Sequence, residues 1–159
     1  MEPETSTTFL AHVRQAGEHH WIPHALEDHL RSVARLAAKF AAPFGNSDWA
    51  QIASLWHDLG KYQDDFQRYI KSASGYDAHI EGPKKVDHST TGAIHAIAQL
   101  GAIQGRVLAY LIAGHHAGLA DWEGDETGGT LSPRLQQQSL LNQTLQQPIP
   151  ADIFNPDLP

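Results

Sequence analysis

The sequence predicts an all-α fold, and three observations lead to this prediction. Apolar residues recur at spacings of three and four through most of the chain, which is the period of a helix with one buried face. Runs of alternating β-branched residues are missing, so we do not expect a sheet. The chain has 159 residues, of which 41% are hydrophobic and 18% are charged, so it can build a core without disulfides.

Prolines, glycines and capping residues divide this pattern into six predicted helices. The predicted helices run from about Pro23 to Pro43, from Ser47 to Gly60, from Gln63 to Lys71, from Ser89 to Leu100, from Gln104 to Ala113, and from Pro133 to Gln147. We expect Phe40, Val107 and Leu111 to be buried, because each falls on the apolar face of its helix. Loops are expected at 72–86 and 117–133, where glycine and proline, which break helices, accumulate.

Composition excludes several classes of protein. The net charge of −7 argues against a broad basic surface for nucleic acid, and the absence of cysteine excludes disulfides and thiolate metal sites. No apolar run approaches the roughly 18 residues of a membrane span, and the N-terminus lacks a signal pattern. We therefore expect a cytoplasmic protein. Residues 1–147 are predicted to form the domain, and the proline-rich residues 148–159 a tail or linker cut from a longer protein.

The sharpest chemical feature is the adjacent pair His57 and Asp58 at the end of the second helix. Imidazole nitrogen and carboxylate oxygen together suit manganese, iron, nickel, cobalt or zinc, and the carboxylate can bridge to a second ion. The alternative is a surface pair, since histidine is favourable at any helix C-terminus. Lys61, three residues later, either offsets phosphate charge beside a metal or is an ordinary solvated lysine.

Three other places bring histidine to the edge of a buried helix face. They are His29 in the first helix, His88 in the tripeptide Asp87-His88-Ser89, and the pair His115-His116 between glycines. The simpler alternative is a core histidine for His29, a helix cap for the tripeptide Asp87-His88-Ser89, and a polar turn for the pair His115-His116. Together with the His-Asp pair they supply five imidazoles and one carboxylate, enough for two metals with open positions for water. The remaining histidines, among them His12 and His24, are not expected to bind metal.

The motifs HDLGK at 57–61, DHS at 87–89 and GHHAGL at 114–119, preceded by His29, occur in a particular order. This ordered set resembles the HD superfamily of metal-dependent phosphohydrolases. In detail it resembles the HD nuclease domain of the CRISPR-associated helicase-nuclease of type I systems, over roughly residues 20–122. The resemblance implies an all-α HD-domain helical bundle with a two-metal site at its centre.

The resemblance also implies roles for individual residues. His29 and His57 would hold one metal ion, His88, His115 and His116 the other, and Asp58 would bridge them. Lys61 would lie near the scissile phosphate. Two divalent ions, expected to be manganese, iron, nickel or cobalt before magnesium or zinc, would activate water for attack on single-stranded DNA. The implied partners are a helicase domain or subunit and the RNA-guided CRISPR surveillance complex, and no other cofactor is expected.

One part of the family pattern is not found. The family completes its first metal site with an aspartate on a later helix. Asp121 follows GHHAGL too closely, Asp125 lies in a glycine-rich loop, and Asp152 and Asp157 lie in the proline-rich end. We expect the missing aspartate beyond residue 159, which would leave one metal site incomplete.

Two other functions remain open on the sequence. One is an HD phosphohydrolase that acts on nucleotides or cyclic dinucleotides, although the GHH and DHS motifs favour the nuclease. The other is a non-catalytic helical module that docks a partner. The sequence does not determine the native metal, the cleavage polarity, the preference for DNA over RNA, the oligomeric state or any regulator.

Overall fold

The structure is a computed structural model that describes residues 8–77, 79–124 and 130–157. A two-stranded hairpin precedes a set of helices, so the prediction of a mostly helical protein is confirmed. The strands are β1 (Leu10–Gly17) and β2 (His20–Ala25). The helices are α1 (Leu26–Ala41), α2 (Ser47–Trp56), α3 (Asp64–Ala73), α4 (Ser89–Gly114), α5 (Leu131–Leu135), α6 (Gln138–Thr144) and α7 (Ala151–Phe154), with 3-10 turns at Ala42–Phe44 and Leu59–Tyr62.

The hairpin overturns the expectation that there is no sheet. Its strands pair antiparallel, and Pro23, predicted as the start of the first helix, lies opposite Val13 in the sheet. The signal was weak because the turn lacks the Asn-Gly or Asp-Gly pair that usually marks a hairpin. His19 takes the left-handed conformation there, with a φ of 59°, a position that histidine occupies more readily than most residues.

The core forms where α1, α2 and α4 meet. Leu30 of α1, Trp56 of α2 and Leu108 of α4 are fully buried in one cluster. Gly92 allows the close approach of α4 to α2, because a Cβ at this position would collide with the backbone carbonyl of Trp56. The glycine at this position therefore permits close packing of the two helices.

The helix α4 is bent where the sequence predicted a break between two helices. Gly101 has a φ of 75° and a ψ of 179°, which no α-helix accommodates. Taken whole, α4 is long and apolar enough to cross a membrane, contrary to the expectation that no such run exists. The sequence-based expectation overlooked α4 because alanine, glycine and scattered polar residues interrupt its large apolar residues. Neither half of the bent helix reaches the roughly 20 residues of a membrane span, and each contributes residues to the core.

Several side chains expected in the core are exposed instead. Phe40 is 66% exposed, Val107 56% and Leu111 53%. Periodicity identified the apolar faces of α1 and α4 correctly, but each face is wider than the neighbouring helix covers. Val107 and Leu111 line an apolar surface groove together with Trp49 of α2.

The C-terminal region differs from the sequence-based expectations in two respects. The single helix expected over 133–147 is two short helices, α5 and α6, separated at Gln136 and Gln137. In the proline-rich segment, Ile153 is fully buried, and its carbonyl accepts a hydrogen bond from Trp56 Nε1 at 3.1 Å. A segment expected to be a tail or linker thus contributes a residue to the core, because Ile153 lies beside Trp56. The division of the chain at residue 147 stays a prediction.

Candidate metal centre

Asp58 lies at the centre of the candidate site and is held there by the end of α2. The helix ends at Trp56, and Asp58 leads into the 3-10 turn at Leu59–Tyr62, so its carboxylate points inward and is 2% exposed. Gly60 brings the next histidine close, since its N–H donates to the carbonyl of His88 at 3.2 Å. A Cβ at Gly60 would collide with that backbone. The glycine of HDLGK is therefore required to bring His88 beside Asp58.

One carboxylate oxygen of Asp58, Oδ2, faces two histidines and a lysine. His57 Nε2 lies 3.1 Å from it and His29 Nε2 lies 3.4 Å from it. The two imidazole nitrogens are 3.3 Å apart. We call these three residues, His29, His57 and Asp58, the Oδ2 group, and their donor atoms are close enough together to hold one metal ion.

The other oxygen, Oδ1, faces the second set of histidines. His88 Nε2 lies 3.5 Å from it and His115 Nε2 lies 3.6 Å from it. His116 Nε2 is 2.8 Å from His88 Nε2. Asp58, His88, His115 and His116 form what we call the Oδ1 group, whose donor atoms also fit one ion. The structure thus brings together all six residues that the sequence proposed as metal ligands.

Backbone carbonyls orient the histidine rings. His57 Nδ1 donates to the carbonyl of Ser54, and His115 Nδ1 donates to the carbonyl of Ile112, each at 2.6 Å. Each bond places a proton on Nδ1, so Nε2 is the nitrogen that faces Asp58 and is available to a metal ion. Histidine ligands of metals are commonly oriented in this way.

The electrostatics of the cluster also suit a cation. Burial would raise the pKa of the Asp58 carboxyl, but the neighbouring imidazoles of His115, His29 and His57 outweigh it and hold that pKa well below its usual range. Burial lowers the pKa of His88 to about 4, so His88 is neutral at pH 7. Among the described residues, the buried Oδ1 atom of Asp58 has no hydrogen-bond partner. A neutral imidazole beside an unpartnered carboxylate oxygen is a donor set that fits a divalent transition metal.

Lys61 does not extend into solvent. Its Nζ lies 2.8 Å from Asp58 Oδ2 and donates to the carbonyl of Ala11 at 3.1 Å. The interpretation as an ordinary solvated lysine is therefore wrong, because the side chain is only 11% exposed. The ammonium lies beside the cluster, and contact with a phosphate stays a prediction.

The DHS motif serves as a helix cap in addition to supplying His88. Asp87 Oδ1 accepts the backbone N–H groups of Ser89 and Thr90, each at 3.0 Å, at the start of α4. Sequence reasoning missed Arg134, whose Nε donates to Thr90 Oγ1 at 2.9 Å and whose Nη2 donates to Ser89 Oγ at 3.0 Å. Nothing local marks this arginine, because its partners lie 44 and 45 residues away.

The aspartate missing from the family pattern is not supplied by the described part of the chain. Asp58 is the one carboxylate in the metal-compatible groups of those residues. Asp152 pairs instead with Arg31, at 2.8 Å, and Asp125 lies outside the described residues. That the aspartate lies beyond residue 159 remains a prediction.

Sequence reasoning also missed His12 and His24. These two histidines face each other across the hairpin, and with His29 they form a third group of donor atoms close enough for a metal ion. Their positions opposite one another require the strand pairing, which the sequence did not predict.

A family comparison supports the interpretation of the cluster. The family model described as the HD domain matches residues 26–147, which is most of the chain. The chain belongs to the HD domain family. No curated protein was found to match it.

HD domains are metal-dependent hydrolases, and this HD domain carries the histidine and aspartate cluster that such chemistry requires. The matched region begins at the first residue of α1 and ends just before the proline-rich segment. It therefore includes every residue of the Oδ1 and Oδ2 groups, whereas His12 and His24 lie outside it.

Proposed function

We propose that this HD domain is a metal-dependent nuclease that degrades single-stranded DNA in type I CRISPR interference. The observation that carries the proposal is the division of six ligand residues into two groups that share the carboxylate of Asp58. A bridging carboxylate between two histidine groups is the arrangement expected of a two-metal phosphodiesterase.

The residues that would hold each ion follow from the geometry. His29, His57 and Asp58 Oδ2 would hold one ion, and His88, His115, His116 and Asp58 Oδ1 the other. The two ions, when bound, would lower the pKa of water and stabilise negative charge on the phosphodiester. The Oδ1 group is open where His115 and His116 lie at the surface, and His29 and His57 of the Oδ2 group are only half-buried, so a strand of DNA can reach both groups.

The protein's own side chains perform the supporting steps. Asp58 stays ionised because its pKa is held low, so it binds cations without first releasing a proton. The carbonyls of Ser54 and Ile112 keep two rings aimed at the reacting centre. Lys61, which lies beside Asp58 Oδ2, is positioned to add positive charge near a bound phosphate. Such preorganised charge is a principal source of catalysis.

The choice of a nuclease over another HD hydrolase rests on two motifs. His88 of DHS and His116 of GHH lie with their Nε2 atoms 2.8 Å apart and enlarge the Oδ1 group to three imidazoles. A phosphohydrolase of nucleotides or cyclic dinucleotides uses similar ligands but usually lacks the second histidine of the pair. Nucleotides are therefore the competing substrate class that the experiment must include.

Partners and location complete the proposal. With a net charge of −7, the chain is poorly suited to bind DNA by itself through its phosphates. We propose that a helicase domain or subunit and the RNA-guided surveillance complex deliver the displaced strand, in the cytoplasm.

The test is cleavage of circular single-stranded DNA by the purified chain with Mn²⁺, Ni²⁺ or Mg²⁺, and with chelator. We expect metal-dependent cleavage that falls by about a thousandfold or more in Asp58→Ala, since both ions lose their shared ligand. Asp65→Ala, which removes an exposed carboxylate of α3, is the matched control and should cleave normally. Hydrolysis of nucleotides or cyclic dinucleotides without any cleavage of DNA would reject the nuclease in favour of the other hydrolase.

A further inference from the structure

The β-hairpin presents histidines that the HD motifs do not include. His12 of β1 and His24 of β2 are direct partners in the sheet register, so their side chains leave the same face at the same level. His24 Nδ1 lies 3.2 Å from His12 Nε2. The rings are nearly perpendicular, at 72°, with centroids 4.7 Å apart.

This separation is the one that a bound metal imposes. Zinc binds imidazole nitrogens at about 2.0–2.1 Å, so two such nitrogens at tetrahedral positions are about 3.3 Å apart. His29 supplies a third imidazole, since its ring centroid lies 5.8 Å from that of His12 and 5.7 Å from that of His24. One donor nitrogen from each of the three residues lies within 4.8 Å of the other two.

The base of the hairpin is fixed before any metal binds. The side-chain amide of Gln67 accepts from the backbone N–H of Leu10 at 2.9 Å and donates to its carbonyl at 3.0 Å. Lys61 donates to the carbonyl of Ala11, the residue beside His12. Directly after β2, the N–H of Leu26, the first residue of α1, donates to the carbonyl of Phe9 at 2.8 Å. These bonds hold the base of the hairpin beside α1, the helix that carries His29.

We propose that His12, His24 and His29 form a third, histidine-only site for a divalent transition metal, which adjoins the Asp58 cluster and shares His29 with it. Three imidazoles without a carboxylate favour zinc, nickel, copper or cobalt over magnesium or manganese. The site leaves a coordination position open, since three protein ligands do not fill a tetrahedral zinc. An ion there would add positive charge beside an otherwise acidic chain, next to the Oδ2 group that shares His29.

The experiment measures zinc binding to the whole chain, with metal removed beforehand, by calorimetric titration and by bound zinc per chain. We expect the wild-type chain to bind one more zinc ion than His12→Ala or His24→Ala. His20→Ala removes an exposed histidine of the same hairpin outside the group, and it should bind as the wild type does. His12→Gln keeps a polar side chain but removes the imidazole, and circular dichroism reports the fold. Together they show whether a loss of zinc binding comes from the missing imidazole or from misfolding.

A second measurement separates this site from the proposed nuclease centre. In Asp58→Ala the zinc ion held by His12, His24 and His29, here called the hairpin ion, should remain. The ring nitrogen resonances of His12 and His24 should still shift when zinc is added. Equal zinc stoichiometry and affinity in the wild type and both alanine variants would overturn the site and leave an imidazole–imidazole hydrogen bond only. Loss of the hairpin ion together with Asp58 would also overturn it, because the two histidines would then belong to the Asp58 cluster. Failure of DNA cleavage affects neither result.

Discussion

The two oxygens of Asp58 have different surroundings, although they belong to one carboxylate. Oδ2 is crowded by Lys61 at 2.8 Å and by two imidazoles, His57 at 3.1 Å and His29 at 3.4 Å. Oδ1 faces His88 and His115 at 3.5 and 3.6 Å and has no hydrogen-bond partner among the described residues. One side is therefore neutralised by the protein itself, whereas the other is left for a ligand.

This difference indicates an order of metal binding. The Oδ1 group offers three imidazoles and an unpartnered oxygen, and the Oδ2 group offers two imidazoles beside an ammonium. A cation at the Oδ2 group must also tolerate the positive charge of Lys61, because like charges at such distances repel. We expect the Oδ1 group to bind its ion first and more tightly.

The largest effect should come from removing a ligand of the Oδ1 group. His88→Ala should weaken the tighter of two Mn²⁺ binding steps by more than about a hundredfold, since even the partners of metal ligands change affinity by about 10- to 100-fold. His29→Ala, the matched change in the Oδ2 group, should affect the weaker step alone. Titration calorimetry with Mn²⁺, which the all-imidazole hairpin group disfavours, separates the steps. If His29→Ala weakened the tighter Mn²⁺ binding step instead, the assigned order of metal binding to the two groups would be reversed.

A smaller effect is expected when the lysine beside Oδ2 is removed. Lys61→Met leaves the buried charge of Asp58 without its ammonium partner and should lower the free energy of unfolding of the metal-free chain by about 2 kcal/mol. This is less than the roughly 3–5 kcal/mol typical of a broken buried pair, because His29 and His57 remain beside Oδ2. Saturating Mn²⁺ should restore most of this loss, since the ion substitutes for the lost charge. Urea unfolding with and without Mn²⁺ measures both values, and Lys39→Met, an exposed lysine of α1, is the control. If Lys61→Met lowered the free energy of unfolding equally with and without Mn²⁺, Lys61 would act by packing alone.

The smallest effect should come from Arg134, which supports the start of α4 from a distance. Arg134→Met removes the bonds to Thr90 and Ser89 that hold the turn containing His88, so Mn²⁺ affinity of the Oδ1 group should fall about tenfold. Arg134→Lys should recover this only in part, because lysine lacks the planar fork of donors. The Oδ2 step should not change in either variant. A matching change in both steps would mean that Arg134 supports the whole domain and has no special role for one group.

The predictions that succeeded came from signals carried by neighbouring residues. The apolar period and the breakers marked the helices, and His57 and Asp58 were recognisable because the two ligands are adjacent in the chain. Where the decisive partner lies far away, prediction failed. Arg134 reaches Thr90 across 44 residues, and Ile153 fills the core beside Trp56 from a segment predicted to be a tail.

The hairpin shows a second kind of failure. A turn formed by histidine in a left-handed conformation resembles no common hairpin signal, so both strands were overlooked. Without the strands, His12 preceded the predicted first helix and His24 lay at its start, and nothing related the two. Their pairing depends on the register of the sheet, which places residues 12 positions apart in contact.

The sequence by itself determined the helical nature of the chain, the family to which it belongs and the candidate metal-binding residues. These follow from local periodicity and from the chemistry of short motifs, which neighbouring residues specify. Only the tertiary structure decided which oxygen of Asp58 each histidine faces, that Lys61 is paired with it, and that Phe40 is exposed while Ile153 is buried. The physical reason is that distances and burial depend on how separate helices pack, and packing joins residues whose distance along the chain carries no signal.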